Sequence, residues 1–157
     1  MRIDAKRTGW IVALSAIVGV ACGVSSAIFL LLLDQATAFR VAHERVLYLL
    51  PVGGFLIGSI FERWGTPIKG GNNLVLDTVH DGGKRLPLRM APMALFGTVA
   101  THFFGGSAGR EGTAVQMGGS LADAIVHRTQ VDATARRQLL AAGMAGGQRD
   151  RTSRPGP

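Results

Sequence analysis

The sequence of 157 residues has few charged residues, few aromatic residues and almost no cysteine. Charged residues make up 17% of the chain, whereas a soluble domain has roughly a quarter. Cys22 is the only cysteine, which excludes an intrachain disulfide and a paired-cysteine metal site. His80, His102 and His127 lack metal-ligand spacing with each other and with nearby carboxylates. We therefore expect no metal site and no cofactor.

Two large functional classes are also disfavoured. No Ser-His-Asp or Cys-His arrangement is present, so nothing in the sequence predicts an enzyme. The net charge of +7 is compatible with nucleic-acid binding. However, the basic residues lie between apolar runs and in the C-terminal tail, with no basic stripe interleaved with aromatics, so we predict no nucleic-acid partner. Basic loops beside apolar runs suit membrane topology better.

The abundant residues are apolar, at 47% of the chain, and 22 glycines are distributed largely inside the apolar runs. The first run, from Trp10 to Leu33, carries no charge and exceeds the about 20 residues that a spanning helix needs. It is also longer than the about 7–15 residues of a signal-peptide core. Arg2, Lys6 and Arg7 precede it, which predicts a cytoplasmic N-terminus.

The rest of the chain continues this helical pattern. Asp34 to Arg45 is amphipathic and is either an interfacial continuation of the first helix or a loop. Asp132 is a good N-cap for a helix over the Ala- and Leu-rich residues that follow it. The other predicted helical segments are Val46 to Phe61, Leu88 to Phe104, Thr113 to Val126 and Ala133 to Ala145. These features predict an all-α, polytopic membrane protein.

Two glycine-rich breaks interrupt the apolar sequence. The first is Gly70-Gly71-Asn72-Asn73-Leu74, and the second runs from Gly105 to Thr113; helical sequence follows each. The first turn of a helix leaves backbone N–H groups unpaired, and these groups attract anions together with the helix dipole. Broken helices are tolerated in membranes where they line a cavity. The two breaks therefore predict an anion-binding site.

Glu111 in the second break is the sharpest functional candidate. A carboxylate in membrane sequence is costly, and at a helix start it would compete with a mobile anion for the same positive site. Protonation would release it and could couple protons to anions. Equally, Glu111 could be an N-terminal helix charge paired with Arg110. A phosphate loop is a weaker reading of this break, because the Gly-Lys-[Ser/Thr] ending is absent.

The eight residues Gly106-Ser107-Ala108-Gly109-Arg110-Glu111-Gly112-Thr113 resemble the G-x-x-G-[R/K]-E-G-P signature of CLC chloride channels and anion/proton antiporters. Gly71 to Leu74 lies where that family carries its earlier filter sequence. The resemblance extends from about Gly9 to Gly147. It implies the first half of an inverted-repeat fold with broken helices. Glu111 would then be the proton-coupled gate, and Gly71, Asn72, Asn73, Leu74, Gly109, Arg110, Gly112 and Thr113 would bind the anion.

Two positions differ from the family motifs, and both bear on which ion is transported. Asn72 replaces the filter serine and Thr113 replaces the signature proline, and both resemble the branch that exchanges fluoride for protons. Chloride remains the second candidate ion. The resemblance further implies a homodimer in the cell membrane, with one pathway in each subunit, halide and protons as the transported species, and the lipid bilayer as surroundings.

The last ten residues, 148–157, differ in composition from residues 1–147. They are polar and rich in Arg and Pro, where the family would continue with an apolar turn and another helix. We expect residues 1–147 to be the N-terminal part of a CLC-type transmembrane domain and 148–157 to result from a frameshift or truncated gene. A genuine cytoplasmic tail is the alternative. A chain of this extent is expected to lack selective transport by itself, and a non-transporting membrane fragment is the alternative function.

Overall fold

A computed structural model of the chain describes residues 5–81, 85–129 and 131–147. Every regular element in these ranges is helical, which confirms the all-α prediction. Two short 3-10 helices lie at Glu44–Leu49 and Thr66–Ile68. The α-helices are α1 (Ala5–Ala42), α2 (Leu50–Trp64), α3 (Gly71–Asp81), α4 (Met90–Phe103), α5 (Arg110–Val126) and α6 (Ala133–Gly147). The predicted tail at 148–157 lies outside the described residues.

The first apolar run and the amphipathic segment after it form one continuous helix. With 38 residues, α1 is about 57 Å long, well beyond the thickness of a bilayer core. The segment after Asp34 is therefore a helical continuation as far as Ala42, rather than a loop. By length and composition, the segments Gly9–Ala42 and Glu44–Trp64 are able to cross a membrane.

The predicted helical segment Leu88 to Phe104 forms a helix that is too short to span a bilayer. α4 has 14 residues, about 21 Å, because it begins only at Met90, after a turn at Leu88 and Arg89. Met90, Ala91, Ala94 and Thr98 are buried along it. α4 is therefore an internal helix that packs between α1 and α5.

The helix directions follow from the contacts along α1. Leu14 near the start of α1 clusters with Val126 at the end of α5, whereas Phe39 near its end stacks on Phe103 at the end of α4. α4 therefore runs parallel to α1 and α5 runs antiparallel to both. One end of the bundle thus collects the start of α1, residues 85–89, the end of α5 and the start of α6. We name it the basic end, because it carries Arg85, Arg89, Arg128, Arg136 and Arg137.

The closest helix crossing joins α5 to α6 through glycine. A Cβ atom added to Gly118 would overlap the carbonyl oxygen of Gly143, and one added to Gly143 would lie 2.6 Å from the Cβ of Ala122. Cys22 of α1 closes this crossing, since its Sγ lies 3.5 Å from the Gly118 carbonyl oxygen. Small residues permit such close backbone approach in membrane helices, where packing replaces the hydrophobic driving force.

A buried ion pair ties α5 to α6 and to the segment before α4. The Nη2 atom of Arg136 lies 2.8 Å from Oδ1 of Asp123. The backbone N–H of Leu86 donates to Oδ2 of the same carboxylate at 2.8 Å. The Asp123 carboxylate therefore makes a contact between helices. α6 begins at Ala133, directly after Asp132, as predicted.

Large apolar side chains cover the outer faces of α1 and α2. Phe55, Leu56 and Ile60 of α2 are exposed, and Val20 and Leu31 of α1 are exposed likewise. Contiguous apolar surface of this extent is uncommon on soluble monomers and is typical of faces that meet lipid or another protein segment. Within the described chain, no atom lies within 4 Å of a Cβ placed at Gly19 or Gly23. That glycine pair therefore makes no contact with another helix within residues 5–81, 85–129 and 131–147.

Gly118→Ala tests the α5–α6 crossing. The added methyl group would overlap the Gly143 carbonyl, so we expect a loss of about 2 kcal/mol in unfolding free energy. Denaturation of the detergent-solubilised chain, followed by circular dichroism, measures it. Gly19→Ala is the matched control, because its position is open and alanine favours helix. Equal stability of the two variants would contradict the close crossing.

Candidate functional site

The two glycine-rich breaks, at residues 70–74 and 105–113, meet in the fold at the starts of α3 and α5. A Cβ atom placed on Gly112 in the first turn of α5 would lie 2.9 Å from Nδ2 of Asn72 in the first turn of α3. A side chain at position 112 would therefore displace the Asn72 carboxamide from its present place. Two helix N-termini, each positive, point into one region.

The start of α5 leaves backbone donors without a cap. Gly109 is the N-cap residue, has an extended backbone and provides no side-chain hydrogen bond. The N–H groups of Arg110, Glu111 and Gly112 belong to the first turn, whose donors have no partner within the helix. Such uncapped donors form a ready anion-binding surface.

A chain of hydroxyl groups fixes this helix start to α4. Thr113 donates from Oγ1 to the carbonyl oxygen of Gly109 at 2.9 Å, so its oxygen accepts the hydrogen bond from Thr98 of α4 at 2.6 Å. Both threonines are buried. The Thr113 backbone N–H is also directed to the Gly109 carbonyl, at 3.4 Å. Thr113 therefore has its donors engaged within the protein, although the sequence motif placed it among the anion-binding residues.

Fewer backbone N–H groups are open at the start of α3 than the sequence predicted. Gly71 has φ +52°, a left-handed conformation that glycine adopts without strain. The N–H groups of Asn73 and Leu74 both bond to the carbonyl of Gly70, at 3.0 and 3.3 Å, and the Leu74 side chain packs against the core. Of the four predicted residues, Gly71 and Asn72 keep open backbone donors and Asn73 and Leu74 do not.

Gln116, one turn into α5 beyond Gly112, orients the side chain of Asn72. Its Nε2 donates to Oδ1 of Asn72 at 3.0 Å. The oxygen of the Asn72 carboxamide is thus engaged, and its Nδ2 donor group is turned toward Gly112 at the other helix start. Nothing in the local sequence around Gln116, four residues after Gly112, predicts that its partner is Asn72.

Two open cavities flank this junction, and Gln116 and Phe61 border both. One of about 540 Å³ reaches Gly71 and also touches Glu62 and Lys69. The other, of about 440 Å³, is bordered by Gly109, Gly112 and the Thr98–Thr113 pair. The helix starts therefore face accessible space on two sides, as a site for a mobile ion requires.

Glu111 is exposed in the first turn of α5, among the uncapped donors. Within the described residues, no ion pair joins it to Arg110. The competing reading, a helix charge paired with its neighbour, therefore has no support in the geometry.

Comparison with known proteins adds to this geometry. The family model described as voltage-gated chloride channel matches residues 53–148, which contain both breaks. The chain belongs to the voltage-gated chloride channel family. This CLC membership also makes it a membrane protein, consistent with its two long apolar helices.

Two CLC relatives are similar over most of this chain. A chloride/fluoride channel protein of Pseudomonas syringae pv. tomato is 50% identical over 135 residues, covering 86% of this chain and 30% of the relative. The crystal structure of a CLC-type fluoride/proton antiporter superposes with a TM-score of 0.85 at 33% identity, covering 93% of this chain and 37% of the other. The chain thus spans about a third of the length of these relatives.

Thr113→Val tests the hydroxyl chain at the start of α5. Valine keeps the shape but leaves the buried Thr98 hydroxyl without its acceptor, so we expect a loss of about 1–2 kcal/mol in unfolding free energy. Thr113→Ser keeps the hydroxyl and is the matched control, with a smaller expected loss. Denaturation in detergent compares them. If both variants lost the same stability, the hydroxyl chain would not be what holds this helix start.

Proposed function

We propose that the chain provides part of a halide pathway that exchanges fluoride for protons, with chloride as the second candidate ion. The observation that carries the proposal is the meeting of two uncapped helix starts, joined by the Gln116–Asn72 hydrogen bond. Unpaired N–H groups at a helix start bind anions, and two starts in one region add their fields. The fluoride preference rests on Asn72 and on the similarity to relatives described as chloride/fluoride channel and fluoride/proton antiporter.

The anion contacts in this proposal come from a smaller set than the sequence motif contains. The proposed contacts are the backbone N–H groups of Gly71, Asn72, Arg110 and Gly112 at the two helix starts, together with Nδ2 of Asn72. A fluoride ion is small and strongly hydrated, so its entry requires several neutral donors that replace water. The amide of Asn72, oriented by Gln116, supplies such a donor. Gly109 and Thr113 then support the α5 start through the carbonyl–hydroxyl contact.

Glu111 is the proposed proton-coupled gate. When ionised, its carboxylate competes with the halide for the positive start of α5, and when protonated it no longer does. Anion occupancy and protonation of Glu111 are then linked, which is the requirement for exchange. Its exposure and its lack of an ion pair with Arg110 in the described residues support this role.

The proposed setting is the cell membrane, with the basic end on the cytoplasmic side. Arg85, Arg89, Arg128 and Arg137 stand at that end, and the start of α1 joins them there. Basic residues flanking spans accumulate on the cytoplasmic side. A homodimer with one pathway in each subunit is the proposed assembly, on family resemblance.

Glu111→Gln tests the gate, in a chimera in which this sequence replaces the matching 30% of the Pseudomonas syringae relative. Glutamine keeps the shape but cannot ionise, so halide flux should persist while coupled proton movement falls at least about tenfold. A fluoride electrode and a pH dye in liposomes measure the two fluxes. Glu44→Gln, at an exposed carboxylate that borders neither of the two cavities at the junction, is the control. Proton coupling that survives in the Glu111 variant would remove its gating role, and a chimera without halide flux would remove the transport proposal.

Gln116→Glu tests the orientation of Asn72 in the same chimera. A carboxylate at 116 would accept from Nδ2 of Asn72, which would turn the amide oxygen toward the junction and withdraw a donor from the halide. We expect fluoride flux to fall about tenfold, equivalent to one lost hydrogen bond.

Gln138→Glu adds the same charge at an exposed position of α6 and is the matched control. Gln116→Met separates the loss of the donor from the added charge and should also lower fluoride flux. If flux were unchanged in both Gln116 variants while Glu111→Gln still uncoupled protons, the role of Gln116 would be wrong and the transport proposal would stand.

A further inference from the structure

A further cavity lies away from the two cavities at the proposed ion pathway. It is a groove of about 430 Å³ at the basic end, between the segment before α4 and the end of α5. Arg85 and Leu88 lie on one wall, and His127 and Arg128 lie on the other. Two separate segments of the chain therefore place cationic or hydrogen-bonding side chains around one space.

Among the residues that the structure describes, none on the groove wall has a free negative charge to balance these side chains. Asp123 borders it, but its carboxylate is buried and engaged by Arg136 on one oxygen and by the Leu86 N–H on the other. In the part of the chain that the structure describes, no carboxylate pairs with the exposed side chains of Arg85 or Arg128. The ion pair inside the protein thus fixes the groove walls and leaves the groove positive.

The groove lies at the level where a membrane meets water. Val126, directly before His127, clusters with Leu14, and Trp10 stands one turn from Leu14 with 56% of its surface exposed. Exposed tryptophan at a span end is typical of the headgroup region. Leu88, on the groove wall, is also an exposed apolar residue. The groove therefore combines positive charge with an apolar border.

We propose that this groove binds the phosphate headgroup of an anionic phospholipid. Guanidinium groups bind phosphate through paired, charge-assisted hydrogen bonds, and Arg85 and Arg128 approach from opposite walls. Leu88 and Pro87 then meet the start of the acyl region. Bound lipid would join the segment before α4 to the end of α5, on the outer side of the Asp123–Arg136 ion pair.

General attraction of a basic surface to anionic lipid is the competing explanation. Arg89 and Arg137 stand at the same end, are exposed and lie outside the groove. Each pair of arginines contributes the same charge, so general attraction affects both pairs alike. Only a specific site distinguishes Arg85 and Arg128 from Arg89 and Arg137.

Native mass spectrometry of the delipidated 157-residue chain in detergent tests the proposal by titration with phosphatidylglycerol and with phosphatidylcholine of the same acyl chains. We expect the double variant Arg85→Gln/Arg128→Gln to lose about tenfold in apparent affinity for phosphatidylglycerol, or about 1.4 kcal/mol, because the paired hydrogen bonds to the phosphate are lost. Arg89→Gln/Arg137→Gln should lose less than about twofold. Circular dichroism checks that all variants keep the same helix content.

The outcomes separate the explanations. Equal losses in the two double variants would show general attraction and overturn the site. Equal binding of phosphatidylcholine and phosphatidylglycerol would remove the role of the anionic headgroup. Inorganic phosphate that binds as tightly as the lipid would make the groove an aqueous anion site instead. Arg85→Lys/Arg128→Lys should recover only part of the affinity, since lysine keeps the charge but not the paired hydrogen bonds.

Discussion

The unpaired backbone donors at the two helix starts are the constraint on which the rest of the structure depends. Away from water, a backbone N–H without a partner is costly, so a broken helix in a membrane protein survives only where protein surrounds it or where it faces a cavity. Here both conditions hold. The α4 hydroxyl of Thr98 supports one start through Thr113, Gln116 connects the two starts, and the remaining donors face open space. The unpaired N–H groups that are costly for folding are thereby available to bind an anion.

The surrounding helices hold the two starts in register. α5 is fixed along its length by its glycine crossing with α6 and, near its end, by the buried carboxylate of Asp123. Because Asp123 also accepts from the Leu86 N–H, the same residue fixes the entry into α4, the helix that carries Thr98. Removing one partner of a buried ion pair is generally more destabilising than the pair is stabilising. The Asp123 carboxylate lies far from the proposed site, but it holds in place the helices that form the site.

Departures from the family signature acquire physical meanings in this arrangement. The threonine that replaces the signature proline gives α5 a hydroxyl contact to α4, which a proline ring lacks. The asparagine that replaces the filter serine has a carboxamide with two polar atoms. Its Oδ1 accepts a hydrogen bond from Gln116, and its Nδ2 remains a donor. The similarity to a CLC-type fluoride/proton antiporter covers 93% of this chain but only 37% of that protein.

The sequence by itself determined the helical class, the positions of the two breaks and the start of α6 after Asp132, because apolar periodicity, glycine clusters and capping residues act locally. The signature around Glu111 was equally readable, since it is contiguous. Only the tertiary structure decided that α4 is an internal helix, that Asn73 and Leu74 close their own first turn, and that Gln116 meets Asn72 across 44 residues. These features depend on where helices pack against each other, and a contact between distant segments leaves no trace in the local pattern of either one.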